Sequence, residues 1–380
     1  MKITYVIGNG FDIHLGLASK YTDFYEWLKT NPKKYQNNNL IEEILLTHQE
    51  TSDTHFGYSH KWSDFEQDLL EDLVSISNQE HADDKAKERI ECLEEMSILL
   101  NEYLQESVDA LVPTLAFDSE LAFKSFENPL KELPSQLLTQ TNTLLTNEFK
   151  EHSAKKMTAE INFINFNYTP LLELYIKGLK FVSNETLYAI NNINNSNIEV
   201  SKNILYPNGN LTDTSELGIG TEADVPETLN LTRNEIDFIS KEAHALRRKD
   251  GRVSAIHRRI VESDILITYG FSLGKSDALY IHTIVSDLIN NKNKTAIFVM
   301  FDQNYNKRFK TLRYYQEESV VKEKIFDAYY HMQKVDLPEK NDELRNSIND
   351  RIIVLFDNGK ILDKDTKTYQ YFPFEIKDSV

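Results

Sequence analysis

Ile3-Thr4-Tyr5-Val6-Ile7-Gly8-Asn9-Gly10-Phe11-Asp12 opens the chain with β-branched and aromatic side chains that run into two glycines. The apolar run reads as a buried strand and Gly8-Asn9-Gly10 as the tight turn that ends it. A strand without polar alternation belongs in a parallel sheet covered on both faces. Beyond the turn, Tyr21, Phe24, Tyr25 and Leu28 recur at helical spacing until Asn31-Pro32, a credible stop. The opening unit is therefore strand, glycine turn, helix.

The same strand signature returns at Ile161-Asn162-Phe163-Ile164-Asn165-Phe166, at Asp264-Ile265-Leu266-Ile267-Thr268-Tyr269-Gly270 and at Thr295-Ala296-Ile297-Phe298-Val299-Met300-Phe301. Apolar strands separated by helix-length segments predict an α/β fold with a parallel sheet. Residues 33–154 read differently. Leu40, Ile41, Ile44 and Leu45, then Leu93, Met96, Leu99, Leu100, Tyr103 and Leu104, recur at three- and four-residue spacing, and Gly57 is the one glycine there, which predicts a helical block. Eight asparagines between Asn191 and Asn210 predict a loop. Near the end, Tyr314, Tyr315, Tyr329 and Tyr330 have helical spacing, and Arg351-Ile352-Ile353-Val354-Leu355-Phe356 is a possible strand. The expected organisation is a nucleotide-binding core of residues 1–32 and 155–310, a helical insertion of residues 33–154 placed to gate a pocket or build an oligomer, and a C-terminal segment of residues 311–380 packed on the core.

The chain has 380 residues, of which 40% are hydrophobic, enough for one large core or two modest ones. With 42 basic and 60 acidic side chains the formal charge is −18, so the surface as a whole repels phosphate backbones and anionic membranes, and nucleic acid is not the default partner. One cysteine, Cys92, supports neither a disulfide framework nor a thiolate zinc site within one chain, which suits a reducing cytoplasm. The first apolar run is too brief for a secretory leader, and no stretch approaches the ~18–20 apolar residues of a membrane span.

Three strand-end turns carry the candidate chemistry. Gly8-Asn9-Gly10-Phe11-Asp12 places backbone N–H groups and a helix N-terminus where a phosphate would bind. Glycines at 8, 10 and 16, with Ile13 where the dinucleotide fingerprint has its third glycine, disfavour an ordinary dehydrogenase. Asn165-Phe166-Asn167-Tyr168-Thr169 ends the next strand, where an amide can bond a ribose hydroxyl or hold a water. Asn167, Thr169 and Pro170 are equally placed to start a helix. Tyr269-Gly270-Phe271-Ser272-Leu273-Gly274-Lys275-Ser276-Asp277 is the third turn, with Asp277 either facing a ligand or capping the next helix. Outside these turns, Arg247, Arg248, Lys249, Arg252, His257, Arg258 and Arg259 form a basic cluster that could bind RNA, DNA or a phosphorylated small molecule, though such a cluster is more often the solvated face of a helix.

These motifs, with Tyr21-Thr22-Asp23-Phe24 and Trp62-Ser63-Asp64-Phe65-Glu66 between them, resemble the AbiH family of bacterial abortive-infection proteins, which protect a population against bacteriophage. That family in turn looks like a distant relative of the sirtuin-like NAD-binding proteins, which implies a Rossmann-type sheet, NAD as substrate or ligand, and cleavage of NAD at the nicotinamide bond to starve an infected cell. Carried over by motif, Gly8, Asn9 and Gly10 would cradle the pyrophosphate with Phe11 beside them, Asn167 would face the nicotinamide ribose, and Gly270, Ser272 and Asp277 would line the other side. Deacetylating sirtuins carry a four-cysteine zinc module, so protein deacetylation is not expected of a chain with one cysteine, and no metal is implied. Sirtuin-like NADases place a His-Gly pair after the asparagine motif. The counterpart here is Pro207-Asn208-Gly209-Asn210, followed by Leu217-Gly218-Ile219-Gly220, and Asn208 cannot serve as a general base near neutral pH. Cleavage of this bond passes through an oxocarbenium-like state, so positioning and electrostatics can carry much of it. By proximity to the glycine turn, Asp12 is a candidate to stabilise the developing positive charge and His14 a candidate substitute base. The expectation is an anti-phage NAD glycohydrolase, acting as a homo-oligomer or with a defence partner. The alternatives are a silent nucleotide sensor and a nucleic-acid-binding or nuclease effector.

Overall fold

In the computed structural model the described residues are 2–36, 38–42, 65–116, 159–178, 198–212, 216–247, 251–274, 277–302, 312–332, 342–357, 371–372 and 374–376. Six parallel strands form the central sheet: β1 (Lys2–Ile7), β2 (Ala159–Asn165), β3 (Ile198–Leu205), β4 (Ile265–Tyr269), β5 (Thr295–Phe301) and β6 (Ile352–Asp357), in the spatial order β3-β2-β1-β4-β5-β6. This is the strand order of a doubly wound Rossmann sheet: the chain builds outward from β1 on one side, then returns to build on the other. A separate antiparallel pair joins Leu115–Ala116 to Glu375–Ile376. The described helices are α1 (Gly10–His14), α2 (Tyr21–Thr30), α3 (Phe65–Ser77), α4 (Ala82–Leu111), α5 (Leu171–Gly178), α6 (Arg233–Ile239), α7 (Lys241–Arg247), α8 (Arg252–Val261), α9 (Ala278–Asn290), α10 (Leu312–Met332) and α11 (Asp342–Ile348).

The apolar runs read from the sequence are the interior strands. Tyr5 sits in register between Phe163 of β2 and Ile267 of β4, and Ile7 between Asn165 and Tyr269. Alternation along the strands sorts the core into two layers. Tyr5, Ile7, Phe163 and Ile267 point to one side, where Phe11, Tyr175 of α5 and Phe372 cover them. Val6, Ile164, Leu266 and Phe298 point to the other, under α8, α9 and α10. Each fully buried side chain of this kind contributes about 1.5–3 kcal/mol, which is why the strands between two covered faces carry no polar alternation.

A third apolar cluster belongs to the helical block. Phe24, Tyr25 and Leu28 of α2 pack with Leu40, Ile41, Phe65 and Leu69, and with Leu93, Met96, Leu100 and Leu104 on α4. The three- and four-residue spacing on α4 is thus the stripe that faces this cluster. Leu217, Ile219 and Ile239 join it, so the block rests on the segment that follows β3.

One sequence expectation is corrected. The asparagine-rich stretch read as a loop contains strand β3, which pairs with β2 through Ile161↔Val200 and Phe163↔Ile204, with a register irregularity between them. As an edge strand with Asn203 exposed and Val200, Ile204 and Leu205 half-buried, it shows no apolar run to read. The strand read at Arg351–Phe356 is present as β6, which pairs with β5 from Ala296↔Ile352 to Phe301↔Asp357 and forms that edge of the sheet.

Candidate functional site

The strand order reverses between β1 and β4, and an open α/β sheet has a crevice at the carboxyl ends of the strands at such a point. The glycines are there because two loops touch. The Gly8 N–H donates to Tyr269 O and the Gly10 N–H to Gly270 O, each at 2.9 Å. A methyl carbon on Gly8 would lie 2.5 Å from Gly270 O, and one on Gly270 would lie 2.6 Å from Gly10 Cα. Gly270 also has φ +65°, the left-handed region that favours glycine. The Gly8 and Gly10 amides are therefore engaged by the neighbouring strand end. This corrects the expectation that they donate to a phosphate, and what the glycines leave at the site is room.

A cleft opens above this contact, with a cavity volume of about 130 Å³. Its floor comes from the strand ends, with Gly8, Asn167, Asn208 and Gly270, and its roof from the helical block, with Tyr21, Glu66, Leu100 and Leu104. At the bottom lies Asp12, only 1% exposed. Asn167 Nδ2 donates to Asp12 Oδ1 at 2.9 Å, and the Thr169 hydroxyl donates to Asp12 Oδ2 at 2.6 Å. Burial pushes the Asp12 carboxyl up to about 7, although the bonds from Thr169 and Asn167 favour its charged form. Asn167 is 4% exposed, and with Nδ2 held by Asp12 its Oδ1 has no hydrogen-bond partner among the described residues. A buried acceptor left in that state costs about 1–3 kcal/mol, which a donor entering the cleft would recover. The motif that suggested helix capping thus turns its side chains to Asp12 instead.

The remaining expected residues divide between the cleft and elsewhere. Asn9 lines the cleft, but its amide is clamped to the chain after α1, donating to Ser19 O at 2.9 Å and accepting from Ser19 Oγ at 2.5 Å. Asn208 lines it with Nδ2 held by Phe166 O at 3.3 Å. Ser272 and Asp277 line it as a pair, the Ser272 hydroxyl donating to Asp277 Oδ2 at 3.0 Å. Phe11 and His14 are corrected, since neither lines the cleft. Phe11 is fully buried against Tyr175 and Phe372 in the sheet's core. His14 turns the same way, with Nε2 3.1 Å from Phe372 O and its ring edge-on to Tyr269 and Phe374, and burial holds its pKa below the ordinary histidine value. Two residues along a helix are about 200° around its axis, so Asp12 and His14 cannot serve one pocket.

Sequence reasoning missed the cleft's ion pair. Lys241, the first residue of α7, meets Glu66 in the first turn of α3, and both line the cleft. Glu66 falls in a quoted motif, while Trp62 and Asp64 lie outside the described residues. Nothing in spacing could join partners 175 positions apart.

The basic cluster divides: His257 and Arg258 are exposed, and the other described members have partners. Arg247 pairs with Asp237 at 2.9 Å, Arg252 with Glu216 at 3.3 Å, and Arg259 donates to Phe163 O and Asn203 O. Arg248 and Lys249 lie outside the described residues. Among the described residues no helix is long and apolar enough to cross a membrane, and no group of three or more histidine, cysteine or carboxylate side chains is placed to hold a metal ion.

No curated protein matches the chain. The model of the bacteriophage abortive infection AbiH family matches residues 4–301, a span that runs from β1 through β5 and includes every residue lining the cleft. The chain belongs to the bacteriophage abortive infection AbiH family.

Proposed function

We propose that this abortive-infection protein binds NAD in the cleft and hydrolyses its nicotinamide–ribose bond, so that an infected cell loses NAD. The observation that carries the reading is the buried pair of Asp12 and Asn167 at the switch point of the sheet, a carboxyl poised near neutral pH beside an amide oxygen that lacks a donor. In the reaction the C1′–N bond breaks, nicotinamide leaves with the bond's electron pair, water adds its oxygen to C1′, and a proton is released. The Asp12 carboxylate faces the positive charge that develops on the ribose, and Asn167 Oδ1 accepts from a ribose hydroxyl, fixing the sugar. This role needs Asp12 charged, so nicotinamide release rises with pH through about 7 and then levels.

One observation favours a second reading, a nucleotide sensor without turnover: among the described residues that line the cleft none is a histidine to act as base. Nicotinamide release from NAD by purified protein, alone and with phage-infected lysate, separates the two when run beside a thermal-shift titration. Release with the stated pH profile supports hydrolysis. Stabilisation by NAD without release supports the sensor, and neither effect removes NAD from the account.

A further inference from the structure

The Leu217-Gly218-Ile219-Gly220 loop has a structural partner. The Ile219 N–H donates to Ile239 O at 2.8 Å and the Lys241 N–H to Ile219 O at 2.9 Å, a parallel bridge that holds the start of α7. Gly218 permits this approach, because a methyl carbon there would lie 2.3 Å from Ile239 O. The loop thereby delivers Lys241 to the cleft wall opposite Glu66.

The lysine and glutamate side chains are only 13% and 10% exposed. A pair this buried adds little net stability, because loss of hydration offsets most of its attraction. A phosphate brings more charge and more acceptor oxygens than a carboxylate, so it competes for the same ammonium. Lysine suits such an exchange, being a point charge on a flexible stem with three rotatable donors. Among the described residues, the other charged side chains on the cleft wall are Asp12 and Asp277, both acidic, and the Gly8 and Gly10 amides already donate to the neighbouring loop. Among the described residues, Lys241 is the cation an anion in this cleft would meet.

We infer that Lys241 is the phosphate-binding residue of the cleft and that Glu66 is an internal anion which the ligand's phosphate displaces, so the site takes a phosphorylated nucleotide in preference to a nucleoside. This rests on the reading that a nucleotide occupies the cleft. Displacing Glu66 would also release the first turn of α3 from the segment that follows β3, coupling occupancy to the helical roof.

The test is calorimetric titration of the full chain with NAD, nicotinamide riboside and inorganic pyrophosphate, for wild type, Glu66→Gln, Lys241→Gln and the double variant. The double variant removes both charges of this pair together, so it reports even if Lys241→Gln alone unfolds. The expected result is that loss of Lys241 weakens NAD and pyrophosphate roughly tenfold or more while nicotinamide riboside changes within about twofold, and that Glu66→Gln tightens pyrophosphate. A double variant that binds NAD and pyrophosphate as wild type does would overturn the role of Lys241 and leave NAD binding intact. Wild type that binds neither would overturn both.

Discussion

Asp12 and His14 stand two residues apart on one short helix, and the structure gives them opposite surroundings. Asp12 faces the cleft, held by Asn167 and Thr169 beside an amide oxygen with no partner among the described residues. His14 faces the sheet's sealed side, with Phe372 O on its ring nitrogen, Tyr269 and Phe374 against its ring, and Asp357 near enough to favour its charged form. Both are ionisable groups displaced from their ordinary pKa by burial. A displaced pKa therefore does not mark the working group here, and an unpartnered polar atom on an open cleft is the better sign.

The contrast can be broken most severely at Gly270, whose loop touches the start of α1. Gly270→Ala forces a carbon against Gly10 Cα and the Phe11 nitrogen, so it moves the helix that carries both groups. Its cost exceeds about 4 kcal/mol, seen in calorimetry as a fall in Tm of roughly 5 °C or more. The next effect separates the two faces. Asp12→Asn lowers nicotinamide release roughly a hundredfold while raising stability at pH 8 by on the order of a few kcal/mol, since the amide needs no buried charge. His14→Gln does the reverse, leaving release within about twofold and costing about 1–2 kcal/mol of stability.

The smallest effect is in the slopes of stability with pH. The Asp12 pKa is raised in the folded protein, so its contribution is fully present below the unfolded value near 3.8 and is lost as pH rises through about 7. The His14 pKa is lowered, so its contribution is fully present above the unfolded value of 6.5 and is lost as pH falls toward the folded value. Denaturant melts across pH 4–8 should show Asp12→Asn removing a downward slope and His14→Gln removing an upward one. Equal slopes in both variants would contradict the assignment.

Much of the fold was legible because parallel strands under two covered faces read as apolar runs, as at Ile3–Ile7 and Ile265–Tyr269. Strand β3 was not, because an edge strand with half its side chains in contact with water breaks that pattern among the asparagines. At the cleft, Asp12, Asn167, Asn208 and Ser272 were visible as polar residues at strand ends, where ligands collect. His14 and Phe11 were drawn in with them because nearness was counted along the chain, whereas the helix sends neighbours to different sides. Thr169 looked like a helix starter, yet its hydroxyl goes to Asp12. Lys241 and Glu66 were invisible for another reason: their meeting depends on how the helical block rests on the Leu217–Gly220 loop, a tertiary contact with no local signature.

The most direct test of the central claim is nicotinamide release from NAD in phage-infected lysate, with wild type, Asn167→Ala and His14→Gln compared at equal folded concentration. The account predicts release by wild type and His14→Gln and a loss of roughly a hundredfold or more in Asn167→Ala. Release that survives Asn167→Ala, or that disappears with His14→Gln, would contradict it.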